Sequence, residues 1–269
     1  MGREPIRAAD AIGFVANRTA RPFTLEALRL LGERIATHEV IDRIVRIGGG
    51  FRMGPFELMD LVGVDVNFEV AKSFWEQGSH EARWEPHPIQ ARMVAEGRLG
   101  RKAGRGYYDY GHGAYRPDDP KPPGRASGWS QSAEIEDSVH FSALPSLDTA
   151  TLVELEGTGA APSAQAEAAE SYFRSMGKHV EWVGAAPGLV LGRILAQIVN
   201  EAHFAVGEGV ATAQDVDVAM RLGFNWPRGP FEWAEAIGPA RLVRVLDGLS
   251  SELGSERYRV APLLRSAAD

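Results

Sequence analysis

Gly13-Phe14-Val15-Ala16-Asn17-Arg18 returns 175 positions later as Gly188-Leu189-Val190-Leu191-Gly192-Arg193. From there the two stretches run without a gap. Residues 13–63 pair with 188–238 and are identical at 17 of 51 positions. The identities include Glu26-Ala27 with Glu201-Ala202, Gly32-Glu33 with Gly207-Glu208, and Gly54-Pro55-Phe56-Glu57 with Gly229-Pro230-Phe231-Glu232. Solenoid units recur every 20–50 residues or so, and this period is far longer. It implies a duplicated domain, so the 269 residues read as two related folding units, a comfortable length for two.

Each copy reads as helices. Ala20 to Ile35 is expected to be amphipathic, with Leu25, Leu28 and Leu31 as its apolar stripe. Pro22 is tolerated in a first turn and kinks the helix elsewhere. Asn17 stands at the mouth of this helix and has two readings, an N-cap or an amide aimed at a bound substrate. Thr37 is expected to cap the next helix, with Val40, Ile41, Ile44 and Val45 inward, and Thr212 to do the same with Asp215 three residues on. Gly48-Gly49-Gly50 breaks that helix, and Gly54-Pro55 opens another with Glu57 in its first turn. Asp65 is read as the cap of a helix through Phe74-Trp75, and residues 88–96 as one more, stopped by Gly97. Between the copies, 111–130 is rich in Gly, Pro, Arg and Asp and reads as a linker. A strand at 151–155, a helix at 163–176 and a strand at 179–183 then form a strand–helix–strand piece. By the repeat, residues 1–10 are the counterpart of that second strand, as if the chain began inside an α/β unit.

Composition narrows the chemistry. The formal charge of −7 argues against a nucleic-acid or anionic-membrane partner, which needs a basic face. No apolar run approaches the ~20 residues that span a bilayer. Residues 1–7 lack the apolar core of a secretory signal. With no cysteine, disulfides, thiolate ligands and a cysteine nucleophile are excluded, which fits a cytoplasmic protein. The seven histidines form no metal-binding pair, so no metal is expected. His203 reads as a packed helix residue, and His87 as a loop residue between two prolines. Gly104-Arg105-Gly106 and Gly207-Glu208-Gly209 are fragments of a dinucleotide fingerprint, but neither follows a strand and opens a helix. Gly97 to Gly104 reads as a basic turn closing a domain, lacking the Gly-Lys-Ser/Thr of a phosphate loop.

Three separated motifs carry a resemblance: Gly13 to Arg18, Gly54-Pro55-Phe56-Glu57 with Asp60 and Gly63, and Gly100 to Tyr108. In order and spacing they resemble the C-terminal domain of 3-hydroxyacyl-CoA dehydrogenases. The second copy, with Ser255 to Arg259 near Pro262 to Arg265, is similar to the end of long bacterial 3-hydroxybutyryl-CoA dehydrogenases. Those carry two such domains around a degenerate α/β piece. The resemblance implies a mainly α fold: a first helical domain at 1–110, a linker at 111–130, an α/β remnant at 131–186 and a shorter helical domain at 187–269.

It also implies an NAD-dependent activity whose Rossmann domain and His–Glu pair are not among these residues. The chain alone is then expected to bind no cofactor and to be inactive. Its partners would be an acyl-CoA substrate, an NAD-binding domain or chain, and its own second copy in an intrachain pseudo-dimer. The family's active-site asparagine maps onto Asn17, and Phe14, Arg18, Met53, Gly54, Pro55 and Phe56 onto substrate contacts. A different class, a non-catalytic acyl-CoA-binding or assembly subunit, stands beside this reading.

Overall fold

The computed structural model describes residues 4–126, 139–157 and 164–269. Its first half holds α1 (Ala16–Gly32), α2 (His38–Arg43), a π-helical turn (Ile44–Gly48), α3 (Pro55–Val62), α4 (Val64–Gln77) and α5 (Pro88–Ala95). A small sheet follows: β1 (Phe141–Ala143), β2 (Leu152–Glu156), α6 (Ala164–Ser175) and β3 (His179–Val183). The second half holds α7 (Leu191–Gly207), α8 (Ala213–Val218), a π-helical turn (Ala219–Gly223), α9 (Pro230–Ile237), α10 (Pro239–Leu253) and α11 (Pro262–Ala268). From α1 to α3, element bounds recur in α7 to α9 at the 175-residue offset. α10 and α11 stand where α4 and α5 do, within one or two residues of the same offset.

Local chemistry explains the shared helix starts. Thr37 caps α2 by accepting Val40 N–H, and Thr212 caps α8 by accepting Asp215 N–H. The Glu57 carboxylate accepts Gly54 N–H at 2.8 Å, as Glu232 does from Gly229. Asp42 accepts Phe56 and Glu57 N–H, as Asp217 does from Phe231 and Glu232. These carboxylates satisfy first-turn donors and suit the positive helix end.

At the centre α1 lies along α7. Arg18 to Leu30 is buried throughout, so α1 is enclosed rather than amphipathic. The reason is α7, which covers the face that a lone copy would leave wet. Two charges of α1, Arg18 and Glu26, point into that contact and are answered reciprocally. Arg18 Nε donates to Glu201 at 2.7 Å, and Arg193 Nε to Glu26 at 2.5 Å. Arg18 also pairs with Glu208 and Arg193 with Glu33. Each of these residues lies 175 positions from its counterpart, the self-complementary pattern of an isologous contact. One apolar cluster spans both halves, from Leu28 and Phe56 to Leu195 and Leu246.

Other departures from the sequence reading have local causes. Pro22 lies beyond the first turn, yet α1 is one continuous helix across it. Asp65 is inside the first turn of α4, whose N-cap is Gly63, and Asp65 pairs with Lys102. Residues 4–9 form no strand; Ala9 N–H donates to Val210 O. The described part of the linker is strapped down: Arg46 grips Asp119 with two hydrogen bonds, and Arg116 reaches Glu57. Residues 127–130 of it lie outside the described residues.

The sheet has β2 at its centre, antiparallel to β1 and parallel to β3, with Leu152 opposite His179 and Glu156 opposite Val183. Val153 and Leu155 face Phe173 of α6, while Leu152 joins the helical core, the alternation of a strand. Glu154, on the Leu152 face, accepts Val190 and Leu191 N–H at 2.7 and 3.2 Å and so plugs the N-terminus of α7. Burial outweighs these two donors and pushes the Glu154 carboxyl up to about 8 from 4.5. The folded state therefore holds a proton the unfolded chain releases, and stability falls as pH rises from about 4.5 through 8. Glu154→Gln is expected to flatten this fall in melting temperature. A parallel fall in wild type and variant would refute the assignment. Asp42, also raised to about 8 by burial, adds to the same slope.

Candidate functional site

The entry to α1 is a tight turn. Gly13 has φ +72° and packs on the Phe74 ring, where any Cβ would collide. Phe14 follows at φ +49°, a costly region for a side-chain-bearing residue. Phe14 is 60% exposed, whereas Leu189, at φ +50° in the matching turn of the second half, is only 1% exposed. The helix then starts with Val15 as N-cap and no side-chain cap. Asn17 is therefore not the cap. It sits in the first turn, exposed, and its amide has no partner among the described residues.

The other expected contacts divide by burial. Met53 is half-buried beside a cavity of about 310 Å³, walled also by Phe23, Phe51, Phe224 and Trp226. Arg18 is inside the molecule, committed to Glu201 and Glu208 and lying over Trp84. Gly54 gives way to Asp42, and Phe56 is fully buried, edge-on to Tyr107 at 4.7 Å. α1 and α3 pack together.

The motif at Gly100 to Tyr110 is a clasp. Asp60 accepts Tyr107 and Tyr108 N–H at 3.0 and 2.9 Å and the Tyr110 hydroxyl at 3.0 Å. Gly100 and Gly106 are required because a Cβ on either would strike Asp60. His87 is more than a loop residue: its Nδ1 accepts Ile89 N–H and caps α5. His203 is packed, with Nδ1 at 2.8 Å from Val199 O.

Sequence reasoning missed Arg21. It lies one turn after Asn17, 6% exposed, stacked over Phe74 at 5.2 Å, with Nε and Nη1 unpaired. Burial pushes its pKa down to about 10. The signal was present, since positions 17, 18, 24 and 25 offer it no acid at helical spacing. Also missed was Gly157-Thr158-Gly159, which follows β2 and precedes α6. Pro162 stands where the third glycine of a dinucleotide loop belongs. Trp182 packs over Gly157, 2.6 Å from where a Cβ would be. That packing does not fit a dinucleotide there, and residues 158–163 lie outside the described residues. Among the described residues no cluster of three metal-ligating side chains occurs, and no helix is long and apolar enough to cross a membrane.

The sequence profile of the 3-hydroxyacyl-CoA dehydrogenase C-terminal domain matches residues 13–110 and again 188–269. This chain belongs to the 3-hydroxyacyl-CoA dehydrogenase family. The 3-hydroxyadipyl-CoA dehydrogenase of Escherichia coli is 35% identical over 99% of this chain and 61% of its own length. The crystal structure of an Escherichia coli 3-hydroxybutyryl-CoA dehydrogenase superposes with a TM-score of 0.86 at 34% identity, over 99% of this chain and 62% of that one. The mitochondrial hydroxyacyl-coenzyme A dehydrogenase of Sus scrofa is 37% identical over 41% of this chain and 35% of its own length. The chain thus spans about three fifths of the bacterial 3-hydroxyacyl-CoA dehydrogenases it matches end to end.

Proposed function

We propose that this chain is the substrate-covering and dimerising C-terminal part of an NAD-dependent 3-hydroxyacyl-CoA dehydrogenase, inactive by itself. Two C-terminal domains, 1–110 and 187–269, pack as an intrachain pseudo-dimer, with 111–130 and a degenerate α/β piece, 131–186, between them. The reciprocal pairs Arg18–Glu201 and Arg193–Glu26 support that packing.

Only the first copy carries chemistry, and one observation supports this above all: the two helix entries are unequal. At α1, Asn17 is exposed and unpartnered beside Phe14. At α7 the same position is Gly192, buried against Leu144, and Glu154 closes the helix end. Asn17 would orient the hydroxyl or carbonyl oxygen of the acyl-CoA, or the base, with Phe14 and Met53 against the acyl group. Arg18, Gly54, Pro55 and Phe56 hold those residues in place. NAD supplies the hydride acceptor from a domain outside these residues.

Calorimetric titration of the chain with NAD is expected to show no micromolar binding. Mixing or joining it with a family NAD-binding domain is expected to yield oxidation of a 3-hydroxyacyl-CoA. Micromolar NAD binding by the chain alone would overturn the proposal. Tight acyl-CoA binding without turnover on mixing would favour the assembly-subunit reading.

A further inference from the structure

At the far end of α1 from Asn17, about 22 Å along the axis at 1.5 Å per residue, lies a cavity of about 510 Å³. Its polar wall is Arg34, His38, His87, Arg92, Arg98 and Tyr107, and no carboxylate lines it. The chain carries 36 acidic and 29 basic residues, so three arginines around one acid-free hollow concentrate positive potential against the molecule's own charge. Acids on the same elements are engaged elsewhere or at the rim: Glu33 with Arg193, Glu39 with His38 at 3.2 Å, and Glu96 with Arg98 at 3.6 Å. Arg34 and Arg92 are exposed and have no partner among the described residues.

The wall is rich in donors. Tyr107 is 8% exposed, and its hydroxyl, buried, has no hydrogen-bond partner. A buried hydroxyl left unpaired is destabilising, and a ligand oxygen would satisfy it. Because His87 Nδ1 accepts Ile89 N–H, the ring proton belongs on Nε2, a further donor. Burial lowers the His87 pKa to about 4, so this imidazole is neutral near pH 7. Arg98 is fixed by two hydrogen bonds to Gly106 O, at 3.1 and 2.7 Å. Leu31, Ile89 and Met93 give the cavity an apolar side.

We infer that this cavity binds a phosphorylated small molecule of nucleotide size, at a site separate from the Asn17 end of α1. Guanidinium groups pair with phosphate oxygens in a bidentate fork, and the tyrosine hydroxyl donates to another oxygen. The volume is that of an organic-ligand pocket, ~300–1,000 Å³, and exceeds what one inorganic phosphate fills. The site is single. In the second half Arg34 is replaced by Gly209 and His38 by Ala213, and no clasp supplies a tyrosine.

The test is calorimetric titration of the full chain at low salt with ADP, inorganic phosphate and adenosine. One equivalent of ADP is expected to bind with Kd on the order of 0.1 mM. Phosphate should bind about tenfold more weakly and adenosine not measurably. The Arg34→Ala/Arg92→Ala double variant should lose about tenfold or more in ADP affinity, while the distant surface change Arg244→Ala loses none. Tyr107→Phe should weaken ADP several-fold without lowering the melting temperature, which separates a ligand role from a structural one. The inference is overturned if ADP gives no binding at millimolar concentration, or if the double variant binds like Arg244→Ala. Equal affinity for phosphate and ADP would overturn the nucleotide-size assignment.

Discussion

Asn17→Ala is expected to cut turnover of the reconstituted dehydrogenase about a hundred- to a thousand-fold, the usual loss when a preorganised polar contact at a reacting oxygen is removed, roughly 3–4 kcal/mol. The melting temperature should hold. The amide has no partner among the described residues and Val15 is the cap, so truncation breaks no bond within the fold, and Ala is a good helix former. The matched control is Gly192→Ala, whose added methyl would meet Leu144 at an ordinary 3.6 Å; turnover should be unchanged. If Asn17→Ala lowers the melting temperature and spares turnover, Asn17 has a structural role and the assignment falls.

The second large effect concerns the buried charges between α1 and α7. Arg193→Met should destabilise the chain by about 3–5 kcal/mol, because it strips a buried carboxylate of its main partner. Glu26 is fully buried, and the guanidinium groups of Arg193 and Arg29 together overcome its burial and hold its pKa below the usual value. Without Arg193 it keeps only Arg29 and the Tyr258 hydroxyl. The loss at Glu33 is small, since that side chain is about one third exposed. Arg193→Met combined with Glu26→Gln removes the stranded charge and keeps an acceptor, so it should recover a good part of the loss. Urea midpoints of wild type, both single variants and the double variant measure this. A single-variant cost below about 1 kcal/mol would show that the pair adds little beyond a surface salt bridge.

What could be read from the sequence was what neighbouring residues decide. Thr37, Gly54-Pro55 and Thr212 open helices because each cap is completed within three residues. The strand at 179–183 is found with those bounds. The remaining features depend on distant chain. Leu25, Leu28 and Leu31 suggested one buried stripe, but α7 encloses α1 and turns Arg18 and Glu26 inward. Arg18, expected against substrate, is taken by an acid 183 positions away. A cap was one of the two readings of Asn17, because Asn caps well; the strained Gly13-Phe14 turn is followed by Val15 as N-cap instead. The Arg34–Arg92–Tyr107 hollow joins three segments that no local pattern connects.

The reciprocal Arg–Glu contact also has a temporal side. Its Arg18–Glu201 and Arg193–Glu26 links join residues 183 and 167 positions apart. A ribosome adds roughly 5–20 residues per second, so α1 waits on the order of 10–35 s before α7 has been made. Throughout that interval α1 lacks its covering helix, Arg18 lacks Glu201, and Glu26 has only Arg29 of its own helix. Such long-range closure is slow in itself. The first half is thus born as a half-finished interface, and this is the period in which a chaperone, or the same face of a neighbouring nascent chain, competes with α7 for it.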